Sequence, residues 1–259
     1  MITARSNSQL KHIAKLLKKR SDRTEEGVFV CEGKKMFFEI LRQAPELLVM
    51  SYWSETGLAG LTPEERREAE ACPFETVSDD AFDSVAETVT PQGVLAIVKM
   101  PEHSVDEILA TGKGILLLET LQDPGNLGTI LRTAEAAGIG GVILSKDSAD
   151  AFSPKVVRAT MGAVWRVPFV YVSDFTETLT KLRERGVTLY AAHLKGSVSY
   201  EEPKYTLPYG IMIGNEGNGL TEEAAAKADV RVRIPMEGQA ESLNAAVAAA
   251  ILMYEARKN

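Results

Sequence analysis

Histidine and cysteine are scarce in this chain. Three histidines (His12, His103, His193) and two cysteines (Cys31, Cys72) are scattered over 259 residues. Two cysteines cannot build a disulfide framework, and no Cys/His group has the spacing of a zinc site, so no metal is expected. No apolar run approaches the roughly 20 residues of a membrane span. The segment Met1-Ile2-Thr3-Ala4-Arg5 lacks an apolar signal core, so export is not expected and a cytoplasmic location fits. Several catalytic signatures are also missing. No Gly-Lys-Ser/Thr marks a phosphate loop, no glycine triplet has dinucleotide-binding spacing, and no serine sits in a nucleophile elbow. Hydrolysis by a Ser or Cys nucleophile is disfavoured.

Length and composition describe an ordinary soluble globular chain. Hydrophobic residues make up 45% and charged residues 25%, and the length suits one large domain or two small ones. The net charge of −7 argues at first against a nucleic-acid partner. Its distribution argues the other way. Arg5, Lys11, Lys15, Lys18, Lys19 and Arg20 fall in the first 20 residues without one acid. A local basic face can neutralise phosphates inside an acidic protein, although the same residues would also suit a solvated helix face.

In chain order, Ser6 or Asn7 caps a helix reaching about Arg20, with Leu10, Ile13, Leu16 and Leu17 on its apolar side. Strands are expected at Val28–Cys31, Leu47–Trp53, Phe74–Val77 and Val94–Val98. Helices are expected after Gly33, from Pro63, and over Asp79–Ala86. Met100–Ser104 is a polar break and the expected domain boundary. Beyond a short helix at Val105–Ala110, a second series begins with the continuous apolar run Ile115-Leu116-Leu117-Leu118, the signature of a fully buried parallel strand. A helix from about Leu127 to Ala137 follows, then strand Gly141–Leu144 and a helix opening at Ser153-Pro154. Strand Phe169–Val172, helix Asp174–Arg185 and strand Val187–His193 complete the alternation. This order predicts an α/β fold, with a mostly parallel C-terminal sheet covered by helices on both faces and a smaller N-terminal α/β domain.

The last third of the chain holds the segments around which the rest is organised. Strand Ile211-Met212-Ile213 runs into Gly214-Asn215-Glu216-Gly217-Asn218-Gly219-Leu220, and Thr221 caps the next helix. Strand Val230–Pro235 then runs into the polar loop Glu237–Glu241, and Ser242-Leu243-Asn244 opens an alanine-rich helix. Two such units place both loops at the carboxyl end of a parallel sheet, where α/β sheets bind ligands. A third glycine loop, Asp123-Pro124-Gly125-Asn126-Leu127-Gly128, follows the buried strand. Each loop alone reads more readily as a structural turn, but three of them, each after a buried strand and carrying Asn or Glu, are harder to dismiss. Arg132 lies among apolar neighbours one turn beyond, where its fork suits either an ion pair or a phosphate. Arg158 is a candidate second cation or a solvated residue, and Glu216 a buried carboxylate or a helix-start anion.

Together these segments resemble the SpoU/TrmH family of RNA 2′-O-ribose methyltransferases. Asp123–Gly128 with Arg132, Ile213–Leu220, and Ile234-Pro235-Met236 through Ser242–Ala248 occur in the family's order. Ile2–Asn7, Phe29–Gly33 and Thr90–Val94 resemble the ribosomal-protein-like substrate-binding domain that many members carry. The resemblance implies an RNA-binding domain over 1–100 and a methyltransferase domain over 113–259 with a trefoil knot. It implies bent S-adenosylmethionine, with cofactor contacts at Gly214, Ile234 and Leu243. It also implies catalytic positions at Asn126, Arg132, Glu216, Ser242 and Asn244, and a homodimer formed through the knot region. RNA contact through Arg5, Lys11, Lys15, Lys18 and Arg158 is expected beside these. Because a guanidinium does not give up its proton near neutral pH, Arg132 is expected to hold a phosphate and steady developing negative charge, which leaves the proton acceptor unassigned.

The expected reaction is methyl transfer to a ribose 2′-hydroxyl of RNA. Ribosomal RNA is favoured over transfer RNA only because the extra N-terminal domain resembles that of family members with a ribosomal substrate. The competing expectations are a tRNA 2′-O-methyltransferase and a non-catalytic RNA-binding ribosome-assembly factor. A small-molecule nucleotide enzyme would leave the basic N-terminal helix unexplained.

Overall fold

The computed structural model describes residues 1–258. They fall into two units, Met1–Pro101 with Phe152–Trp165, and Glu102–Ala151 with Arg166 onward.

The first unit is built on a four-stranded mixed sheet of β1 (Val28–Glu32), β2 (Leu48–Ser54), β3 (Phe74–Val77) and β4 (Val94–Lys99), in the order β1-β4-β2-β3. β4 runs antiparallel to β1 and β2, and β3 runs parallel to β2. The helix Ser8–Lys18 starts where the Asn7 side chain accepts the Gln9 N–H at 2.8 Å. It buries Leu10, Ile13, Leu16 and Leu17 and leaves Lys11, Lys15 and Lys18 exposed at i, i+4 and i+7. The expected single helix to Arg20 breaks at Lys19, which is extended, and a second helix covers Arg20–Glu26. The cause is Arg23. Its buried guanidinium folds back to donate to the carbonyls of Leu16 and Leu17, which the first helix leaves open at its end. The helix at Asp79 likewise stops at Asp83 rather than Ala86, where the Ser84 hydroxyl donates to the Ala81 carbonyl at 2.6 Å.

The second unit carries seven strands in the order β7-β6-β5-β10-β8-β11-β9. These are β5 (Ile115–Leu118), β6 (Gly141–Ser145), β7 (Phe169–Val172), β8 (Thr188–Ala192), β9 (Val198–Ser199), β10 (Tyr209–Ile213) and β11 (Val230–Arg233). Every ladder in this sheet is parallel. β5 is buried along its whole length, as its uninterrupted apolar sequence requires. Leu117, Ile143, Leu189 and Met212 pack on one face with Phe175, Leu179 and Leu182 of the helix Phe175–Glu184. On the other side of the sheet, the helix Ala245–Ala256 packs on β10 and on the helix Pro124–Ala137. The sheet flanked by helices is the expected one. The two-residue β9 was not expected, since it is too short to show a period. No helix among the described residues is long and apolar enough to cross a membrane.

Candidate active site

The site begins with strand placement. β10 lies between β5 and β8, and Ile213 sits in register with Leu118. The loops leaving β5 and β10 therefore emerge side by side at the carboxyl end of the sheet. Main chain continues the pairing one step further, Glu119 N–H donating to Ile213 O at 2.9 Å. The chain then turns at Thr120, a β-branched residue at φ +51°, a backbone region that costs such residues on the order of 1–2 kcal/mol. Its N–H donates to Ser145 Oγ at 2.8 Å, and its carbonyl accepts Asn215 Nδ2 at 2.9 Å. Gly214 begins the facing loop. A side chain there would lie 2.1 Å from the main chain of Gly219 and Leu220, so only glycine lets this loop close on itself.

Glu216 then reaches across to the β5 loop. Its carboxylate accepts the N–H of Gln122 at 3.0 Å, the N–H of Asp123 at 2.8 Å and Asn126 Nδ2 at 3.1 Å. Burial pushes its pKa up. The main-chain donors of Gln122 and Asp123 and the Asn126 amide outweigh that and hold it below the ordinary carboxylate value. The carboxylate is ionised near neutral pH with its oxygens engaged by donors, which suits an electrostatic anchor more than a proton acceptor.

Asn126 is held from both ends. The helix Pro124–Ala137 starts three residues earlier than expected, because Asp123 caps it by accepting the Asn126 N–H at 2.8 Å and Pro124 supplies a compatible first residue. Asn126 Oδ1 accepts Asn244 Nδ2 at 2.8 Å. Asn244 in turn caps the last helix, its Oδ1 accepting the N–H groups of Ala246 and Val247 at 2.9 and 3.3 Å. Side chains from three loops far apart in sequence thus form one chain of hydrogen bonds, Glu216–Asn126–Asn244.

Arg132 is exposed on the same helix, two turns beyond Asn126, and makes no hydrogen bond or ion pair among the described residues. Ser242 is exposed two residues before Asn244 and makes no hydrogen bond with the cluster. Gly214 follows β10, Ile234 follows β11, and Leu243 precedes the Asn244 cap. β10 and β11 both flank β8 in parallel, which brings Gly214 and Ile234 to the carboxyl end of one sheet, while Leu243 adjoins Asn244, which bonds Asn126 there.

The remaining expected contacts lie in the first unit. Arg158, on the helix Pro154–Thr160, stands 3.8 Å from the Glu32 carboxylate and 3.9 Å from Glu87. Arg5 forms a two-pronged pair with Asp80, one prong at 2.9 Å. Lys11, Lys15 and Lys18 stand exposed along one helix face.

Sequence reasoning missed three contributors: Glu119, Thr120 and Asn215. The one local signal was a carboxylate directly after an all-apolar strand, where a charge needs a partner.

Residues 113–254 match the SpoU rRNA Methylase family. The chain belongs to that family. Residues 7–96 match an MRM3-like substrate binding domain. The 23S rRNA (guanosine(2553)-2′-O)-methyltransferase RlmP of Bacillus subtilis (strain 168) is 36% identical over 256 residues, which span 99% of this chain and 98% of RlmP. An S-adenosylmethionine-bound rRNA methyltransferase from Sinorhizobium meliloti superposes with a TM-score of 0.85 at 31% identity, over 99% of this chain and 97% of that one. The SpoU methyltransferase AviRb from Streptomyces viridochromogenes, in complex with the same cofactor, superposes with a TM-score of 0.86 at 28% identity, over 97% of each chain. As a SpoU-family member, the chain matches these proteins along almost its whole length, first unit included.

Proposed function

We propose that this chain transfers a methyl group from S-adenosylmethionine to a ribose 2′-hydroxyl of ribosomal RNA, in the 23S class that RlmP modifies. The observation that carries this reading is the Glu216–Asn126–Asn244 hydrogen-bond chain, which joins the three family segments at one end of the sheet.

The residues present fit the cofactor. Between Ile234 and Leu243, the main chain makes no hydrogen bond to other described residues, so its N–H and C=O groups stand ready for a ligand. Gly214 packs bare backbone against the main chain of Gly219 and Leu220, and the side chains of Ile234 and Leu243, both partly buried, supply apolar walls for a purine. When bound, S-adenosylmethionine supplies an electrophilic methyl group on its sulfonium.

The protein's part is orientation and charge. Glu216 fixes Asn126 and the 122–123 main chain, and Asn244 fixes Asn126 from the other side. Arg132, without a partner of its own, holds an RNA phosphate through its fork and steadies the charge that develops on the 2′-oxygen. Ser242 stands exposed on the loop that leads into the Asn244 cap. A positioned hydroxyl and the Arg132 cation, fixed once it grips the phosphate, account for catalysis chiefly through proximity and electrostatics.

Residues 1–100 serve as the RNA-binding domain, with Lys11, Lys15 and Lys18 meeting backbone phosphates. Arg5 and Arg158 contribute only by exchanging their present acidic partners for phosphate. The methyltransferase domain over 113–259 carries the trefoil knot of the family resemblance. It pairs with a second copy through the final helix, which is apolar around its circumference and leaves Val247 47% and Tyr254 44% exposed. The protein works in the cytoplasm, where ribosomes are assembled.

The test is a comparison of 2′-O-methyl sites in total RNA with and without this protein. One ribosomal position that depends on it supports the reading. A position in transfer RNA instead moves the substrate. Cofactor binding with no methyl incorporation into any RNA supports a non-catalytic assembly factor.

A further inference from the structure

We infer that Glu119 is a positioning residue for methyl transfer, locking the Glu216 loop against the β5 loop in a reciprocal carboxylate clamp. The inference rests on the reading of Glu216 and Asn126 given above.

Glu119 follows β5 directly and is 8% exposed. Its two oxygens go to one residue of the opposite loop, Oε2 accepting the Thr221 N–H at 2.8 Å and Oε1 accepting the Thr221 hydroxyl at 2.7 Å. Glu216, on that opposite loop, sends its carboxylate back to the N–H groups of Gln122 and Asp123. Each loop therefore lends the other a carboxylate, and each carboxylate grips main chain. Between the two clamps, Asn215 Nδ2 holds Thr120 O at 2.9 Å.

This geometry leaves the Glu216 loop little freedom. It is pinned at its start, where Ile213 O accepts the Glu119 N–H, and at its end, where Thr221 meets the Glu119 carboxylate. Inside it, Asn215 and Gly219 exchange main-chain hydrogen bonds at 2.9 and 3.0 Å. Only a few residues separate the pins from Glu216, so losing the Thr221 pin moves the carboxylate that holds Asn126. The left-handed turn at Thr120 fits the same scheme. It aims Glu119 at one loop end and the 122–123 N–H groups at Glu216, and such backbone strain persists only where surrounding contacts overdetermine it.

Glutamine is a near-isosteric replacement that keeps both contacts, because its carbonyl accepts the Thr221 N–H while its amide donates to the Thr221 hydroxyl. Alanine removes both. The experiment compares Glu119→Gln and Glu119→Ala with the unsubstituted full chain, by amide hydrogen exchange over 119–126 and 213–221 and by kcat and KM for RNA. We expect Glu119→Gln to stay within a few-fold of the parent. We expect Glu119→Ala to speed exchange in both loops, including the Gln122 and Asp123 amides. Its kcat should fall tenfold or more with little change in KM, and in a Glu216→Ala background it should cause no further fall. Faster exchange confined to Thr221 with unchanged kcat would overturn the inference, as would equal damage by glutamine and alanine. The exchange readout decides the clamp even if no RNA proves to be a substrate, so failure of the wider reading stays distinguishable from failure of this one.

Discussion

Asn126 and Asn244 stand 118 positions apart in the chain and 2.8 Å apart in space, with the Asn244 amide donating to the Asn126 carbonyl oxygen. That bond connects the start of one helix to the start of another. It orients the Asn126 amide so that its own donor faces Glu216.

Asn244→Asp separates the two tasks of Asn244. Aspartate caps a helix about as well as asparagine, so the melting temperature should change little. It cannot donate to Asn126, and its charge favours turning the Asn126 amide, which would set the carbonyl against Glu216. Turnover should fall by about 10²-fold, the scale of losing one preorganised contact. Calorimetry beside a methyl-transfer assay checks this, and near-normal turnover in Asn244→Asp would remove the bond from the mechanism.

Arg132→Lys keeps the charge and loses the fork. Turnover should drop by about 10²-fold at saturating RNA, with cofactor affinity unchanged. Steady-state kinetics and cofactor titration decide it. Near-normal turnover with unchanged RNA binding would exclude the forked phosphate contact.

The basic face of the first helix is best tested by charge removal, because truncation would also take away Leu10, Ile13, Leu16 and Leu17 from the core. Replacing Lys11, Lys15 and Lys18 together by alanine should weaken RNA binding and flatten the plot of log affinity against log salt, by roughly one unit for each lost phosphate contact. A slope equal to that of the parent protein would assign these lysines to solvent.

Much of this was legible in the sequence, and the remainder was hidden for identifiable reasons. The run Ile115–Leu118 declared a buried parallel strand, and Asn244 before an alanine-rich stretch declared a helix start. The break at Lys19 was not legible, since it depends on Arg23 reaching back to carbonyls six and seven residues earlier. Glu119 was hidden for a related reason. Its partner Thr221 lies 102 residues away, and no local pattern records such a contact. Phe152 is a similar case, because its ring centroid lies 4.9 Å from that of Phe29 in the first unit, although by sequence the helix opening at Ser153-Pro154 belongs to the second α/β series.

Glu216 also makes a prediction about pH. Its folded pKa is depressed, so its contribution to stability is present in full above the unfolded value of about 4.3 and is lost as pH falls through the lower folded value. The difference in melting temperature between the parent protein and Glu216→Gln should be flat from about pH 6 to 8 and close only below about pH 4. A difference that closes already between pH 6 and 7 would contradict the depressed value.

The central claim is methyl transfer to a ribose 2′-hydroxyl of ribosomal RNA. The most direct measurement incubates the purified protein with methyl-labelled S-adenosylmethionine and unmodified 23S rRNA, then maps 2′-O-methylation at nucleotide resolution. A single labelled ribose is expected, formed far more slowly in Arg132→Lys and Asn126→Ala than in the parent protein. Label on a base, or no label in RNA from a protein that binds the cofactor, would contradict it.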